Sequence, residues 1–360
     1  VIKLLIVDDS ALMRRLLAGL FAAEGDFEVR LARDGEEGLD MARAERPDVM
    51  TLDVQMPRMD GLACLDRLMI EAPCPVVMVS AITEKGAEAT LEALRLGAVD
   101  VVTKPTGAVS LEMDRLGPLI VAKVRAAAGA KLRRSLRLTE VVRHRVGREA
   151  LSLQRSSRSL LAIRPEPAAA VGRMVLIGTS TGGPPALETV LSQFPADFPC
   201  PVLVVQHMPA TFTGAMARRL DALCAIEVVE VDAPMPIVPG RAYIGRGDAD
   251  LLLARRSGGL VALPAPASEK YLWHPSVDRM VDSVLELLPA EQLLGVLMTG
   301  MGRDGAEAMT RLRQRGGRTI AESEATAVVW GMPGELVRSG GAEAVVPLDE
   351  IAPLILRMVT

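Results

Sequence analysis

The chain has 360 residues and a mass of 38.4 kDa, room for two domains at roughly 100–200 residues each. Apolar residues make up 49% and charged residues 24%, which excludes wholesale disorder, while 2% aromatics leave little for single-stranded nucleic acid to stack on. A net charge of −4 and a pI near 5.7 give no whole-chain attraction to nucleic acid or anionic lipid.

Residues 1–128 alternate short apolar runs with amphipathic stretches. Lys3–Val7, Glu28–Leu31, Val49–Leu52, Val76–Val79 and Val99–Val102 read as strands, and Ser10–Ala23, Glu36–Ala44, Gly61–Glu71 and Gly86–Leu96 as helices. Five such units predict an open, doubly wound parallel sheet. Gly117-Pro118 interrupts the last helical pattern and is expected to delay its start.

From Val121 to Arg164 the chain carries twelve Lys or Arg and two acidic residues, Glu140 and Glu149. That segment charge of +10 leaves −14 for the rest, and 129–170 reads as a basic linker, a solvated tether or a docking site for an acidic partner. A second α/β pattern spans 171–360, with strand-like runs at Met174–Ile177, Val202–Val205, Ile226–Val231 and Leu294–Met298. Short strand-like pieces and Gly/Pro turns between 234 and 264 predict an antiparallel portion. Cys64, Cys74, Cys200 and Cys224 form no Cys-x-x-Cys pair and read as reduced core residues. No apolar run reaches the ~18 residues of a membrane span and no signal pattern opens the sequence, so the expectation is a cytoplasmic protein without membrane insertion.

In an open parallel sheet, ligands sit beyond the carboxyl ends of the strands. The first domain places Asp8, Asp9, Asp53, Ser80 and Lys104 there. Converging carboxylates need a cation, and oxygen-only ligands suit Mg²⁺. An Asp beside such a metal is a candidate nucleophile toward a phosphoryl group, with Lys104 and Ser80 placed to meet its oxygens. A lone Asp after a strand is more often a helix cap; several strand ends carrying one chemistry are not so easily explained. Ile6–Ser10, Asp53–Gly61 and Thr103-Lys104-Pro105 resemble a response-regulator receiver domain. The resemblance implies a flavodoxin-like fold, phosphorylation of Asp53 by a sensor histidine kinase, and Mg²⁺ held by Asp8, Asp9, Asp53 and the carbonyl of Gln55. It implies also that Ser80 and Lys104 sense the phosphoryl group. Val101 stands where receivers commonly carry an aromatic residue, which points to a switch other than an aromatic rotamer.

In the second domain Gly178-Thr179-Ser180-Thr181-Gly182 fits Gly-x-Ser-x-Gly, a pattern shared by nucleophile elbows and phosphate-cradling loops. His207 follows one strand and Asp304 another, so a Ser, a His and an Asp can meet at one sheet edge, as a serine hydrolase requires. Backbone N–H groups of Met301 and Thr181 are candidate oxyanion donors. His274 is a rival histidine, expected at the rim, and His144 lies in the linker. The order Ser…His…Asp argues against the α/β-hydrolases.

Gly178–Gly183, Gln206–Pro209, Pro275–Asp278, Met298–Gly305 and Val329–Pro333 resemble the catalytic domain of the chemotaxis protein-glutamate methylesterases, and the order receiver, linker, catalytic domain matches over nearly the whole chain. The resemblance implies a triad of Ser180, His207 and Asp304 acting without a cofactor on methylated glutamates of chemoreceptor cytoplasmic helices, with deamidation of glutamines a further activity. The unphosphorylated receiver is expected to cover the Ser180 cleft. Two other classes compete. A phosphorylation-controlled docking module would bind receptors without chemistry, and a DNA-binding regulator would use the basic linker. The second lacks a helix-turn-helix pattern outside the receiver, so no nucleic-acid partner is expected.

Overall fold

The computed structural model describes residues 1–80, 83–104, 109–132 and 172–359, so most of the segment read as a linker, His144 included, lies outside the described residues. Each of the five apolar runs of the first domain becomes a strand: β1 (Ile2–Val7), β2 (Phe27–Ala32), β3 (Val49–Asp53), β4 (Val76–Ser80) and β5 (Asp100–Thr103). All pair in parallel in the order β2-β1-β3-β4-β5. The order reverses between β1 and β3, which opens a crevice at their carboxyl ends. Helices α1 (Ala11–Glu24), α2 (Gly35–Glu45), α3 (Gly61–Glu71), α4 (Glu84–Leu96) and α5 (Val109–Ala128) cover the two faces. Ser10, Asp34, Asp60 and Thr83 cap the first four by accepting from backbone N–H groups. Asp34 and Asp60 are thereby accounted for as caps, while Asp8 and Asp53 are not.

The expected delay at Gly117-Pro118 is corrected: α5 runs unbroken from Val109 with Pro118 inside it. Packing outweighs the one hydrogen bond that proline removes, because Ile120, Val121, Val124 and Ala127 of α5 are buried against the sheet. Gly117 helps, since a Cβ there would come within 2.8 Å of Leu20 on α1.

The second domain is built on β6 (Met174–Thr179), β7 (Val202–Gln206), β8 (Glu227–Val231), β9 (Met235–Pro236), β10 (Arg241–Gly245), β11 (Ala249–Arg256), β12 (Gly259–Pro266), β13 (Leu293–Leu297), β14 (Arg318–Glu322) and β15 (Ala344–Val346). Its helices are α6 (Gly183–Leu191), α7 (Ala210–Leu223), α8 (Val277–Leu285), α9 (Ala306–Gln314), α10 (Met332–Arg338) and α11 (Leu348–Val359). Seven strands form a parallel sheet in the order β15-β14-β13-β6-β7-β10-β8, and β11-β12-β9 form a separate antiparallel sheet. The short antiparallel portion expected between 234 and 264 is present as β9, β11 and β12, while β10 of the same stretch joins the parallel sheet between β7 and β8. Its Ala242, Tyr243 and Ile244 are buried, which an edge hairpin would not allow. Strands β14 and β15 carry no clear apolar run in sequence: charged residues end β14, and β15 has three residues.

The two domains share a continuous apolar cluster. Leu91 and Leu94 of α4 belong to the same buried group as Leu187 of α6 and Ala215 and Met216 of α7. Arg219 of α7 lies 3.7 Å from Glu92 of α4 at the edge of this contact.

Candidate functional site

At the carboxyl edge of the first sheet, Asp8, Asp9 and Asp53 place ligand oxygens within 4.8 Å of one another. Asp8 and Asp53 are buried and Asp9 is exposed. Lys104 Nζ sits 2.9 Å from Asp8 Oδ2 and 2.6 Å from Asp53 Oδ2. Burial pushes the Asp53 carboxyl above its ordinary range, with Lys104 opposing that rise only in part. Burial also lowers the Lys104 ammonium, but the two carboxylates outweigh it and hold it above its usual value. Asp8 Oδ2 is a buried oxygen that completes no hydrogen bond, although Lys104 is close. Gln55 donates its N–H to Asp53 Oδ1 at 3.3 Å, and its carbonyl accepts no hydrogen bond among the described residues. Ser80 is fully buried at the end of β4, and its carbonyl accepts the Lys104 N–H at 2.8 Å. An all-oxygen donor set with an unsatisfied buried carboxylate oxygen suits a hard divalent cation such as Mg²⁺. Val101 is buried in the core of β5.

In the larger sheet the order reverses at β6, whose neighbours are β13 and β7. Ser180 follows β6, His207 follows β7, and the loop after β13 leads to Asp304, so three adjacent strands deliver the three side chains to one edge. Ser180 and His207 are buried at 1% and 3% exposure. His207 Nε2 lies 2.8 Å from Asp304 Oδ2. Nε2 therefore carries the proton toward the carboxylate and Nδ1 is left as the acceptor. Ser180 Oγ and His207 Nδ1 are both buried without a hydrogen-bond partner, a costly arrangement unless the two serve each other or a substrate.

The loop around Ser180 is tied at every side. Ser180 N–H donates to Thr299 O at 3.0 Å, and Gln206 Nε2 donates to Ser180 O at 2.9 Å. Gly300 must be glycine for a steric reason: a Cβ there would fall 2.7 Å from Ser180 Cβ and 2.5 Å from Met332 Sδ. The N–H groups of Thr181 and Met301 donate to no acceptor among the described residues. Glu322, buried at the end of β14, accepts the Thr299 N–H at 2.8 Å and braces the strand end from which the Met301 loop departs.

Asp304 is held by the start of α8. Its Oδ1 accepts from Ser276 Oγ at 2.9 Å and Asp278 N at 3.1 Å, and its Oδ2 accepts from Val277 N at 2.7 Å as well as from His207. The carboxylate thus occupies a helix N-terminus, where free N–H groups and the helix dipole favour negative charge. Burial works to raise its pKa, but His207 and the backbone donors outweigh that and hold it below the usual range. The neighbouring Asp278 moves the other way. Burial first, then the charge of Asp304, pushes it up to about 6.

The structure adds Ser276, Asp278, Trp273, Gln206 and Glu322, to which the sequence pattern assigns no role. For Ser276 the signal was present, a serine one residue before an apolar-periodic stretch. Trp273 stacks on His207, with ring centroids 4.8 Å apart and planes at 7°. The rival His274 turns its Nδ1 to Asp250 at 3.1 Å, which Arg279 also pairs, and so stands outside the Ser180–His207–Asp304 group.

The receiver touches this loop directly. Thr181 Oγ1 donates to Asp100 Oδ2 of β5, and Gly182 N–H donates to Val99 O at 3.0 Å. Asp100 is paired on its other oxygen with buried Lys123 of α5 at 2.7 Å.

Residues 175–355 match the family model for the CheB methylesterase and residues 4–113 that for the response regulator receiver domain. A protein-glutamate methylesterase/protein-glutamine glutaminase of Rhodopseudomonas palustris is 61% identical over 358 residues, covering 99% of this chain and 97% of its own. One of the same name from Rhodospirillum rubrum is 53% identical over 352 residues, covering 97% and 94%. The crystal structure of the Thermotoga maritima CheB methylesterase catalytic domain matches at 35% identity with a TM-score of 0.50, covering 52% of this chain and 99% of that one. With its serine, histidine and aspartate at the switch point of one sheet and a receiver docked against the serine loop, the chain belongs to the CheB methylesterase family.

Proposed function

We propose that this chain is a phosphorylation-regulated serine esterase that hydrolyses glutamate methyl esters on the cytoplasmic helices of chemoreceptors and also deamidates glutamines there. The observation that carries the reading is the pair of buried, partnerless atoms, Ser180 Oγ and His207 Nδ1, beside an imidazole already hydrogen-bonded to Asp304.

Ser180 Oγ attacks the ester carbonyl carbon while its proton passes to His207 Nδ1. Asp304 stabilises the resulting imidazolium through Nε2–H and does not itself take the proton. The tetrahedral oxyanion meets the free N–H groups of Thr181 and Met301. Collapse breaks the carbon–methoxy bond, and His207 returns the proton so that methanol leaves. Water then attacks the acyl-serine with His207 as base, freeing the carboxylate and restoring Ser180. With a glutamine substrate the same steps release ammonia. No cofactor is needed for this chemistry.

In the receiver, Asp53 is the phosphoryl acceptor from a sensor histidine kinase, and Asp8, Asp9, Asp53 and the Gln55 carbonyl would hold Mg²⁺. Bound there, the ion supplies charge neutralisation for the transferred phosphoryl group. Lys104 then exchanges its two carboxylate partners for phosphoryl oxygens, with Ser80 as a second donor. Docking of the receiver on Thr181 and Gly182 restrains the nucleophile loop in the unphosphorylated state, and rearrangement around Asp53 and Lys104 weakens that docking. The names of the relatives favour an esterase over a docking module that performs no chemistry.

The test is methanol release from methyl-esterified receptor by the full chain, its Ser180→Ala variant and its Asp53→Asn variant, each with and without a phosphoryl donor. Release should vanish in the first variant and lose its donor dependence in the second. Release that survives Ser180→Ala would refute the esterase assignment.

A further inference from the structure

Trp273 is one of two tryptophans in a chain with few aromatic residues, and it sits in the loop between β12 and α8, not in the core. Its ring lies face to face with the His207 imidazole, 4.8 Å between centroids and 7° between planes. Its indole nitrogen reaches toward Gly302, where a Cβ would come within 4.0 Å. The indole therefore spans from the imidazole to the loop that carries Met301.

Two consequences follow from that placement. The imidazole is fixed at Cγ by its own bond to Cβ and at Nε2 by one hydrogen bond to Asp304, so the ring can still rotate about the line through those two atoms and carry Nδ1 out of place. A flat neighbour against its face removes that freedom. The imidazole also becomes a cation when it accepts the serine proton, and an indole face attracts a cation.

We propose that Trp273 is a positioning residue for ester hydrolysis: its face keeps the His207 ring in the plane that presents Nδ1 to Ser180 and favours the imidazolium formed there. This rests on the reading of His207 as the base. The charged and titratable groups around the pair are Asp304 at Nε2, Asp278 next to Asp304, Arg303 preceding Asp304, and the Asp250–His274–Arg279 cluster that anchors the Trp273 loop.

The experiment compares the pH dependence of methanol release by the full chain, Trp273→Phe and Trp273→Leu, all with phosphoryl donor. Leucine still covers the imidazole but has no π face, so hydration of the ring changes little. For Trp273→Leu, kcat should fall about 3- to 30-fold with KM unchanged. Its acidic limb should also move to lower pH, because the imidazolium has lost a stabilising neighbour. Phenylalanine should restore most of both. Asp278, Asp304 and His274 are present in all three proteins, so differences among them isolate the ring. A readout independent of turnover is tryptophan emission. An imidazolium in contact with indole quenches it, so emission should fall through the acidic limb in the wild type and lack that component in Trp273→Phe. A Trp273→Leu profile superimposable on the wild type overturns the proposal. So does an equal loss in both variants without movement of the limb, which would mean packing alone. If the wild type shows no Ser180-dependent release, the esterase reading falls and this proposal with it.

Discussion

Replacing Thr181 by valine removes one hydrogen bond between the domains while leaving the backbone N–H proposed as an oxyanion donor. The lost bond runs from the Thr181 hydroxyl to the Asp100 carboxylate, and both residues are buried. Asp100 keeps Lys123 Nζ and the Val101 N–H, each at 2.7 Å, but both sit on Oδ1, so in the docked form Oδ2 stays buried without the Thr181 donor. A hydrogen bond to a charged group contributes about 1.5–3 kcal/mol, or roughly 10- to 150-fold in the ratio of released to docked receiver. If the docked form dominates by ~100 to 1 in the unphosphorylated wild type, the released fraction rises from about 1% to at least ~10%. Initial rates of methanol release without phosphoryl donor should rise accordingly, about 10-fold or more. The rate with donor should change little, because the receiver is then already released. The catalytic segment 172–360 carrying the same substitution serves as the control and should match its parent. An unphosphorylated Thr181→Val rate no higher than the wild type, with the donor-stimulated rate intact, would refute the idea that this contact restrains the loop.

Two further outcomes are expected. Ser276→Ala deletes the 2.9 Å bond to Asp304 and the cap on Arg279 N–H. It should lower kcat about 10-fold or more at constant KM and lower Tm by roughly 5–10 °C; an unchanged kcat would show that the backbone N–H groups hold Asp304 unaided. Asp278→Asn concerns pH. The folded-state pKa of Asp278, about 6, lies above its ordinary value of 3.8. Its contribution to stability is therefore fully present below about pH 4 and is lost as pH rises through 6. Asparagine keeps the oxygen that accepts the Ala308 N–H at 2.8 Å but cannot ionise. The variant should melt above the wild type at pH 8, with the gap closing toward pH 4, and calorimetry showing the reverse order would disprove the assignment.

Much of the site could be read from residues because its chemistry is local to strand ends. Asp8, Asp53 and Lys104, like Ser180, His207 and Asp304, stand directly at or shortly after apolar runs, and a parallel sheet brings such positions to one edge. Periodicity was a poorer guide elsewhere. Pro118 looked like a helix start because the strength of the packing beneath α5 cannot be seen in its own segment. Strands β14 and β15 escaped notice because a short strand beside a covered sheet needs no alternation.

What the sequence determined by itself was the division into two α/β units, the strand ends that carry the candidate site residues and the identity of their chemical groups, since these follow from short-range pattern and residue type. Only the tertiary structure decided which imidazole nitrogen faces Asp304, that the start of α8 cradles that carboxylate, that Trp273 covers His207, and that Asp100 of one domain reaches Thr181 of the other. Each of these joins residues 26 to 97 positions apart. At such separations only the packing of whole elements, not any local preference, sets the distance between two side chains.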